Sequence, residues 1–271
     1  YGALLAQLYP VVKAASPEAK LVVGGLAADW FIDQGGPFDR EFTDDLLGAC
    51  QNKDCFDVWN FHYYPNTDWD AYGVGIIGKT NYFRQKLAEY GMGDKEIICT
   101  ETGNNGAEKW GGDEQQSRYV VKAFVRGVAA RLPIVIWYTN SDVTNTDFKP
   151  GLLDESYQPK PSYAALDTVA RMISGATYVQ TMSAAQTGSL HIEGYTFTKL
   201  DGRRLDVVWT EDDTRYRPED NPVLPFYASA SSVKVTDKLG QWSEVINDGD
   251  DGTVDGRVRI TVTGSPLFLE Y

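Results

Sequence analysis

The sequence is poor in the residues that hold metal ions. It has two histidines, His62 and His191, and three cysteines; none of them stands at metal-ligand spacing. The reading is of a protein without a metal, and nothing in the chain calls for an organic cofactor. No apolar run approaches the ~20 residues that a membrane-spanning helix needs. Positive charge is short as well: 25 Lys and Arg stand against 38 Asp and Glu, a net charge of -13. Nucleic acid and anionic membrane surfaces are therefore disfavoured as partners, because their phosphates would be repelled. No Gly-x-Ser-x-Gly elbow is present, which argues against an esterase-like α/β hydrolase. The chain has no initiator Met and no signal-peptide pattern. It opens at Tyr1 inside a helical pattern, as expected of a processed, trimmed or partial product.

What is there describes a folded chain. Its 271 residues are 42% hydrophobic and 13% aromatic, with 7 Trp and 16 Tyr, enough for one large domain or two moderate ones. Flat aromatic faces serve sugar-binding clefts and cores alike. Cys50 and Cys55 bracket a short polar loop, and either a local disulfide in an oxidising compartment or two thiols fits that spacing. Cys99 reads as a buried free thiol. A secreted or extracellular setting is favoured, with the cytoplasm as the alternative.

Apolar periodicity gives the organisation. Leu4, Leu5, Leu8, Val11 and Val12 predict a helix over 2–15, closed by Ser16-Pro17. Strands are expected at about 21–26, 56–64, 96–101 and 134–139. Helices are expected around 41–49, 72–90, 119–132 (led by a capping box of Asp113 and Gln116) and 161–173, the last with Pro161 in its first turn. Helix and strand alternate over residues 1–176, the pattern of a parallel sheet with helical crossovers. From 177 to 271, short β-rich runs (190–200, 204–209, 232–236, 258–262, 267–271) predict a small antiparallel β-sandwich. The acidic loop Asn247-Asp248-Gly249-Asp250-Asp251-Gly252 invites a calcium reading. Gly252 falls where an EF-hand ligand should be, so a solvated hairpin turn is expected.

One stretch organises the rest: Glu96-Ile97-Ile98-Cys99-Thr100-Glu101-Thr102-Gly103, a short apolar run ending in a carboxylate. At the C-terminal end of a barrel strand such a carboxylate sits on the active face. Simple alternation puts Ile97, Cys99 and Glu101 on one side and Ile98 and Thr100 on the other.

Several segments, in this order, resemble the C-terminal half of the clan A retaining glycoside hydrolases, β/α-barrel enzymes of cellulase-like, β-xylosidase-like and arabinofuranosidase-like families. They are Asn60-Phe61-His62-Tyr63-Tyr64-Pro65, Ile98-Cys99-Thr100-Glu101-Thr102-Gly103, Val135-Ile136-Trp137-Tyr138, and Gly151-Leu152-Leu153 followed by Pro159-Lys160-Pro161-Ser162-Tyr163. The terminal Gly264-Ser265-Pro266-Leu267-Phe268-Leu269-Glu270 fits the appended β-domain of such enzymes. The resemblance implies an α/β fold: a partial (β/α)8 (TIM) barrel of about four β/α units, strands five to eight, then a small all-β sandwich. It implies retaining hydrolysis of glycosidic bonds in plant or microbial polysaccharides or oligosaccharides. Glu101 would be the nucleophile and Tyr64 would orient it. His62 would line the same wall, and Trp137 would floor the sugar site. Each of these has a plain structural explanation beside it, and for the stacking candidates Trp59 and Trp110 packing is the favoured one.

The acid/base of that clan is a glutamate after an asparagine, and no Asn-Glu dipeptide occurs in this sequence. Glu108, Glu114, Asp142 and Asp147 are loop carboxylates that nothing in the spacing supports as substitutes. Half a barrel leaves strand edges and apolar side chains uncovered. The expected cover is self-association into a homodimer, followed by a missing N-terminal half or the β-domain itself. The alternative function is a non-catalytic carbohydrate-binding or self-assembling half-barrel.

Overall fold

The computed structural model describes residues 1–51, 54–65, 72–144, 146–211 and 221–271. The chain divides into two compact units, 1–103 with 130–138, and 104–129 with 139–271. Helices at 112–129 and 161–173 therefore group with the β-rich segment that follows residue 176.

In the first unit, α1 (Gly2–Ala15) packs on α2 (Phe42–Cys50). Cys50 and Cys55 are bonded, with Cα atoms 5.7 Å apart, and Cys99 is a buried free thiol. Three parallel strands, β1 (Val58–Tyr63), β2 (Glu96–Thr102) and β3 (Val135–Trp137), lie side by side in chain order. Helix α3 (Gly75–Glu89) separates β1 from β2 in the chain. It presses Phe83 onto Trp59 and Phe61 of β1, ring centres 5.3 and 5.4 Å apart. Burying each ring stabilises the fold by roughly 1.5–3 kcal/mol. β1 is buried at every position except the half-buried His62, and its polar residues are Asn60 and His62.

The expected strand at 21–26 forms only in part. It runs parallel along β1 through isolated bridges, Val22 to Val58 and Leu26 to Phe61. The Val23 and Leu26 N–H groups donate to the Val58 and Asn60 carbonyls at 3.0 and 3.3 Å. Gly24 and Gly25 interrupt it, since a residue without a side chain weakens a strand interior. Three strands and one broken segment thus stand where four strands were expected. Leu4, Leu8 and Val11 of α1, Ile134 before β3 and Ile136 within it are exposed; of the five apolar positions at helical spacing, α1 buries Leu5, together with Gly2.

In the second unit, α4 (Gly112–Ala129) packs on α5 (Pro161–Ile173). Gln116 does not close a capping box with Asp113. Its buried amide donates to the Asn104 and Lys149 carbonyls, both at 2.9 Å. Among the described residues eight strands follow: β4 (Thr177–Thr181), β5 (Ile192–Thr198), β6 (Arg204–Thr210), β7 (Leu224–Ala228), β8 (Ser232–Asp237), β9 (Ser243–Asn247), β10 (Val258–Val262) and β11 (Leu267–Glu270). Six form an antiparallel sheet in the order β4-β5-β6-β11-β8-β9, and β10 pairs with β7. Side chains of both sheets, among them Val208, Phe226, Val235, Ile260 and Leu269, share one core. β4, β7 and β9 were not read in the sequence. β7 carries Pro225, which argues against a strand until its place in a two-stranded pair is known, and β9 is a mostly exposed edge. In the acidic turn, Asp248 accepts the Asp255 and Gly256 N–H groups and Asp250 accepts that of Asn247.

A buried ionic cluster ties α4 to the six-stranded sheet. Arg126 donates from Nε to Glu193 at 2.8 Å, and Lys122 donates to Glu211 at 2.8 Å. The Trp209 indole N–H also donates to Glu211, at 2.9 Å. The carboxylates hold the Arg126 pKa above its ordinary value against the opposing effect of burial. This cluster explains why α4 groups with the β-rich segment.

Candidate active site

The β1–β2 ladder is regular from Val58 opposite Glu96 to Phe61 opposite Cys99, and then slips: His62 stands opposite Glu101. Thr100 is the extra residue of a β-bulge on β2. A bulge leaves a backbone N–H out of the ladder and re-aims the side chains beyond it. Asn60, buried on β1, takes up what the bulge leaves. Its Oδ1 accepts the Thr100 N–H at 3.2 Å and the Thr100 hydroxyl at 2.9 Å. Strict alternation fails here as a consequence. Thr100 and Glu101 both face His62, so Glu101 does not share a face with Ile97 and Cys99.

The Glu101 carboxylate is gripped from two sides. The Tyr64 hydroxyl donates to Oε1, and the His62 Nδ1 lies 3.3 Å from Oε2. His62 Nε2 is 3.4 Å from the Thr100 hydroxyl. Asn60, His62 and Tyr64 alternate along β1 and its extension, which presents all three to the same side of the sheet. Behind the imidazole lies Gly25, where an added Cβ would come within 1.9 Å of Nε2. The Tyr64 pKa is pushed up, first by burial and then by its hydrogen bond to Glu101. It therefore stays a phenol and a donor. The His62 pKa is pushed down by burial; Glu101 raises it, Lys79 lowers it and Asp29 raises it in decreasing order. At neutral pH the ring is the uncharged form.

Lys79, on α3, is fully buried. It donates to the Ala27 carbonyl and lies 3.8 Å from Asp29. These two residues, with Asn60 and Thr100, were missed in the sequence. A lysine inside the apolar pattern of 72–90 was the one available signal for Lys79. Nothing short of the bulge itself marks Asn60.

Trp137 closes β3 opposite Thr102 and is buried, at the same end of the sheet as Glu101. Trp59 is fully buried between Phe56 and Phe83. No ring face is left to receive a sugar, because alternation sends it to the side opposite Asn60. Trp110 is half-buried in a short turn (Glu108–Trp110) of the second unit. The loop carboxylates are engaged elsewhere: Glu114 with Arg118 and Lys238, Asp142 with Lys160, and Asp147 with Lys109. Glu108 is exposed. Among the described residues, no group of three or more His, Cys, Asp or Glu is placed to hold a metal ion.

No family model and no curated protein sequence matches the chain. Solved structures do. The chain is similar to a family 39 glycoside hydrolase from the gut symbiont Bacteroides cellulosilyticus WH2, at 22% identity and a TM-score of 0.70, covering 99% of this chain and 54% of that one. It is similar to the GH51 arabinofuranosidase from Xanthomonas axonopodis pv. citri (10% identity, TM-score 0.57, 100% and 62% covered). A GH39 β-xylosidase from Caulobacter crescentus matches at 12% identity and a TM-score of 0.56, over 99% and 61%. The fold is thus an α/β fold resembling that of the clan A glycoside hydrolases, as the sequence resemblance implied, and the chain spans little more than half the length of these relatives.

Proposed function

We propose that the chain is the C-terminal, nucleophile-bearing half of a retaining glycoside hydrolase, with residues 1–176 as the half-barrel and 177–271 as a β-sandwich. One observation carries this reading. Glu101 stands at the C-terminal end of a parallel strand, turned by a bulge onto the Tyr64 phenol and the His62 imidazole. In such a site the carboxylate oxygen attacks the anomeric carbon, and the bond to the leaving oxygen breaks. A second carboxyl group, roughly 5–5.5 Å away, protonates that oxygen and later activates the water that releases the sugar. Tyr64 and His62 fix the direction of attack, and Trp137 forms the floor of the site. The substrate is a neutral glycoside of a plant or microbial polysaccharide or oligosaccharide.

The test is intact mass after incubation with 2-deoxy-2-fluoro glycosides that carry a dinitrophenol leaving group. That group departs without protonation, so the trap asks only whether Glu101 attacks. An added sugar mass that maps to Glu101 and disappears in Glu101→Gln is expected. A folded protein that no sugar labels refutes the reading.

A second reading is favoured by the missing Asn-Glu dipeptide and by the ion pairs that occupy Glu114, Asp142 and Asp147. Here the chain binds carbohydrate without turnover, and Glu101→Gln leaves affinity unchanged. In either case the exposed Ile134 and Ile136 at β3, and Leu4, Leu8 and Val11 on α1, are covered by self-association. Light scattering checks this, and a monodisperse monomer with a cooperative melt rules it out.

A further inference from the structure

We propose that Trp30 is a rigid platform on which a neutral sugar ring stacks beside the Glu101 site, an inference that rests on the glycosidase reading for its ligand class. The segment Ala27–Phe31 leaves the C-terminal end of the 21–26 run next to His62. The Leu26 carbonyl accepts the His62 N–H at 2.9 Å, and Gly25 lies against the imidazole edge. Trp30 follows directly, and its side chain is 53% exposed. It emerges at the end of the parallel strands where ligands of such sheets bind.

The backbone here is strained and held. Ala28 and Trp30 have φ of 44° and 33°, a left-handed conformation that side chains other than Gly, Asn and Asp rarely adopt. The clamp has three parts. Buried Lys79 donates to the Ala27 carbonyl, and the Tyr72 hydroxyl donates to the Ala28 carbonyl at 2.5 Å. The third is Gly36, packed so closely beneath Trp30 that a Cβ there would lie 1.6 Å from the Trp30 carbonyl oxygen and 2.6 Å from Cγ of its ring. A loop under no constraint but packing would relax this backbone and bury the indole. This one does the reverse: it spends a buried lysine on fixing an aromatic side chain in water. Strain that its surroundings over-determine clusters at ligand clamps. The net charge of -13 disfavours a nucleotide or other anion as the stacked group, and on the glycosidase reading the ligand is the apolar face of an uncharged sugar ring.

The test uses the full chain with Trp30→Asn and Trp30→Phe. Asparagine tolerates the left-handed backbone and removes the ring; phenylalanine keeps a ring. Dissociation constants are measured for a panel of neutral oligosaccharides, beside melting temperature, light scattering and Glu101 trapping. Trp30→Asn is expected to weaken the best saccharide by at least about tenfold, ~1.4 kcal/mol, with melting temperature and oligomeric state unchanged, and Trp30→Phe to fall in between. Equal affinity in Trp30→Asn overturns the platform, as does a changed oligomeric state with saccharide affinity intact, which would make Trp30 a protein contact. A wild-type chain that binds no saccharide overturns it too. Trapping separates the two ideas. A labelled Glu101 with no effect at Trp30 keeps the enzyme and removes the platform, whereas lost affinity without labelling keeps the platform and removes the catalysis.

Discussion

Replacing Glu101 by Gln should lower the pKa of His62 by about one to two units. The imidazole Nδ1 and the carboxylate are 3.3 Å apart, each about a quarter exposed. At that distance the attraction between a protonated ring and a carboxylate is ~1.3 kcal/mol in a water-like dielectric, and ~2.5 kcal/mol at half that dielectric constant. One pKa unit corresponds to ~1.4 kcal/mol, which gives the range. Burial already holds His62 below the ordinary histidine value, with Glu101 opposing it and Lys79 assisting; removal of the carboxylate leaves burial and Lys79 against Asp29 alone. The assay is an NMR titration of the imidazole protons. The chain has only two histidines, so His191 serves as the internal reference. The sign carries over to stability. The folded ring binds its proton less readily than the unfolded one, so the contribution is present above the unfolded value of ~6.5 and is lost as pH falls below it. Glu101→Gln should steepen that acid loss. An unshifted or raised His62 pKa in the variant would refute the pairing and the orientation of Glu101 with it.

Three further perturbations read other parts of the same reasoning. Asn60→Ala orphans the Thr100 N–H and hydroxyl inside the bulge and should cost about 1–3 kcal/mol in urea unfolding; Glu101→Gln in that background should shift His62 by less than half as much, and an undiminished shift would show that the bulge does not depend on Asn60. Arg126→Met leaves Glu193 buried with only the Tyr195 hydroxyl as donor among the described residues and should cost roughly 3–5 kcal/mol, whereas an effect below ~1 kcal/mol would show that Glu193 finds water. Reduction of Cys50–Cys55 opens only a short loop and should lower stability by about 2 kcal/mol, measured as the change in unfolding midpoint with and without reductant.

The parallel part of the fold was legible because parallel strands buried on both faces are written as continuous apolar runs, as at Ile97–Cys99. The run at 21–26 is equally apolar, but Gly24-Gly25 breaks its ladder, and an apolar count does not register that. In the β-rich segment the well-buried strands β5, β6 and β11 stood out. β7 and β9 did not, because a strand paired on one side tolerates Pro225 or an exposed face. At the site, Glu101 was named by its position at a strand end, and Tyr64 and His62 were set around it by the family resemblance; the bulge that brings the three together was not legible. Period-two alternation assigns Glu101 to the side of Cys99, and a single extra residue reverses that assignment. The apolar positions Leu4, Leu8 and Val11 show the opposite failure, since helical spacing reports which residues share a face but not whether anything covers it.

The bulge also bears on how much chemistry this chain can perform. On the proposed reading Glu101 needs direction to attack, and Asn60, His62 and Tyr64 would supply it from β1 and its extension. Proton delivery to the leaving oxygen is a separate task that demands a second carboxyl group in a different environment, with its pKa held apart from the first. Glu114, Asp142 and Asp147, which nothing in the sequence spacing supports for that task, are paired with Arg118, Lys160 and Lys109. Attack and protonation are therefore separable here by substrate chemistry alone. A dinitrophenyl glycoside tests attack, and an alkyl glycoside of the same sugar tests both steps. Labelling by the first with no turnover of the second would mean that this chain holds the nucleophile's half of the machinery and takes its proton donor from outside these residues. Turnover of both would mean that a carboxyl group available to this chain delivers the proton as well, and would remove the idea that the donor lies elsewhere.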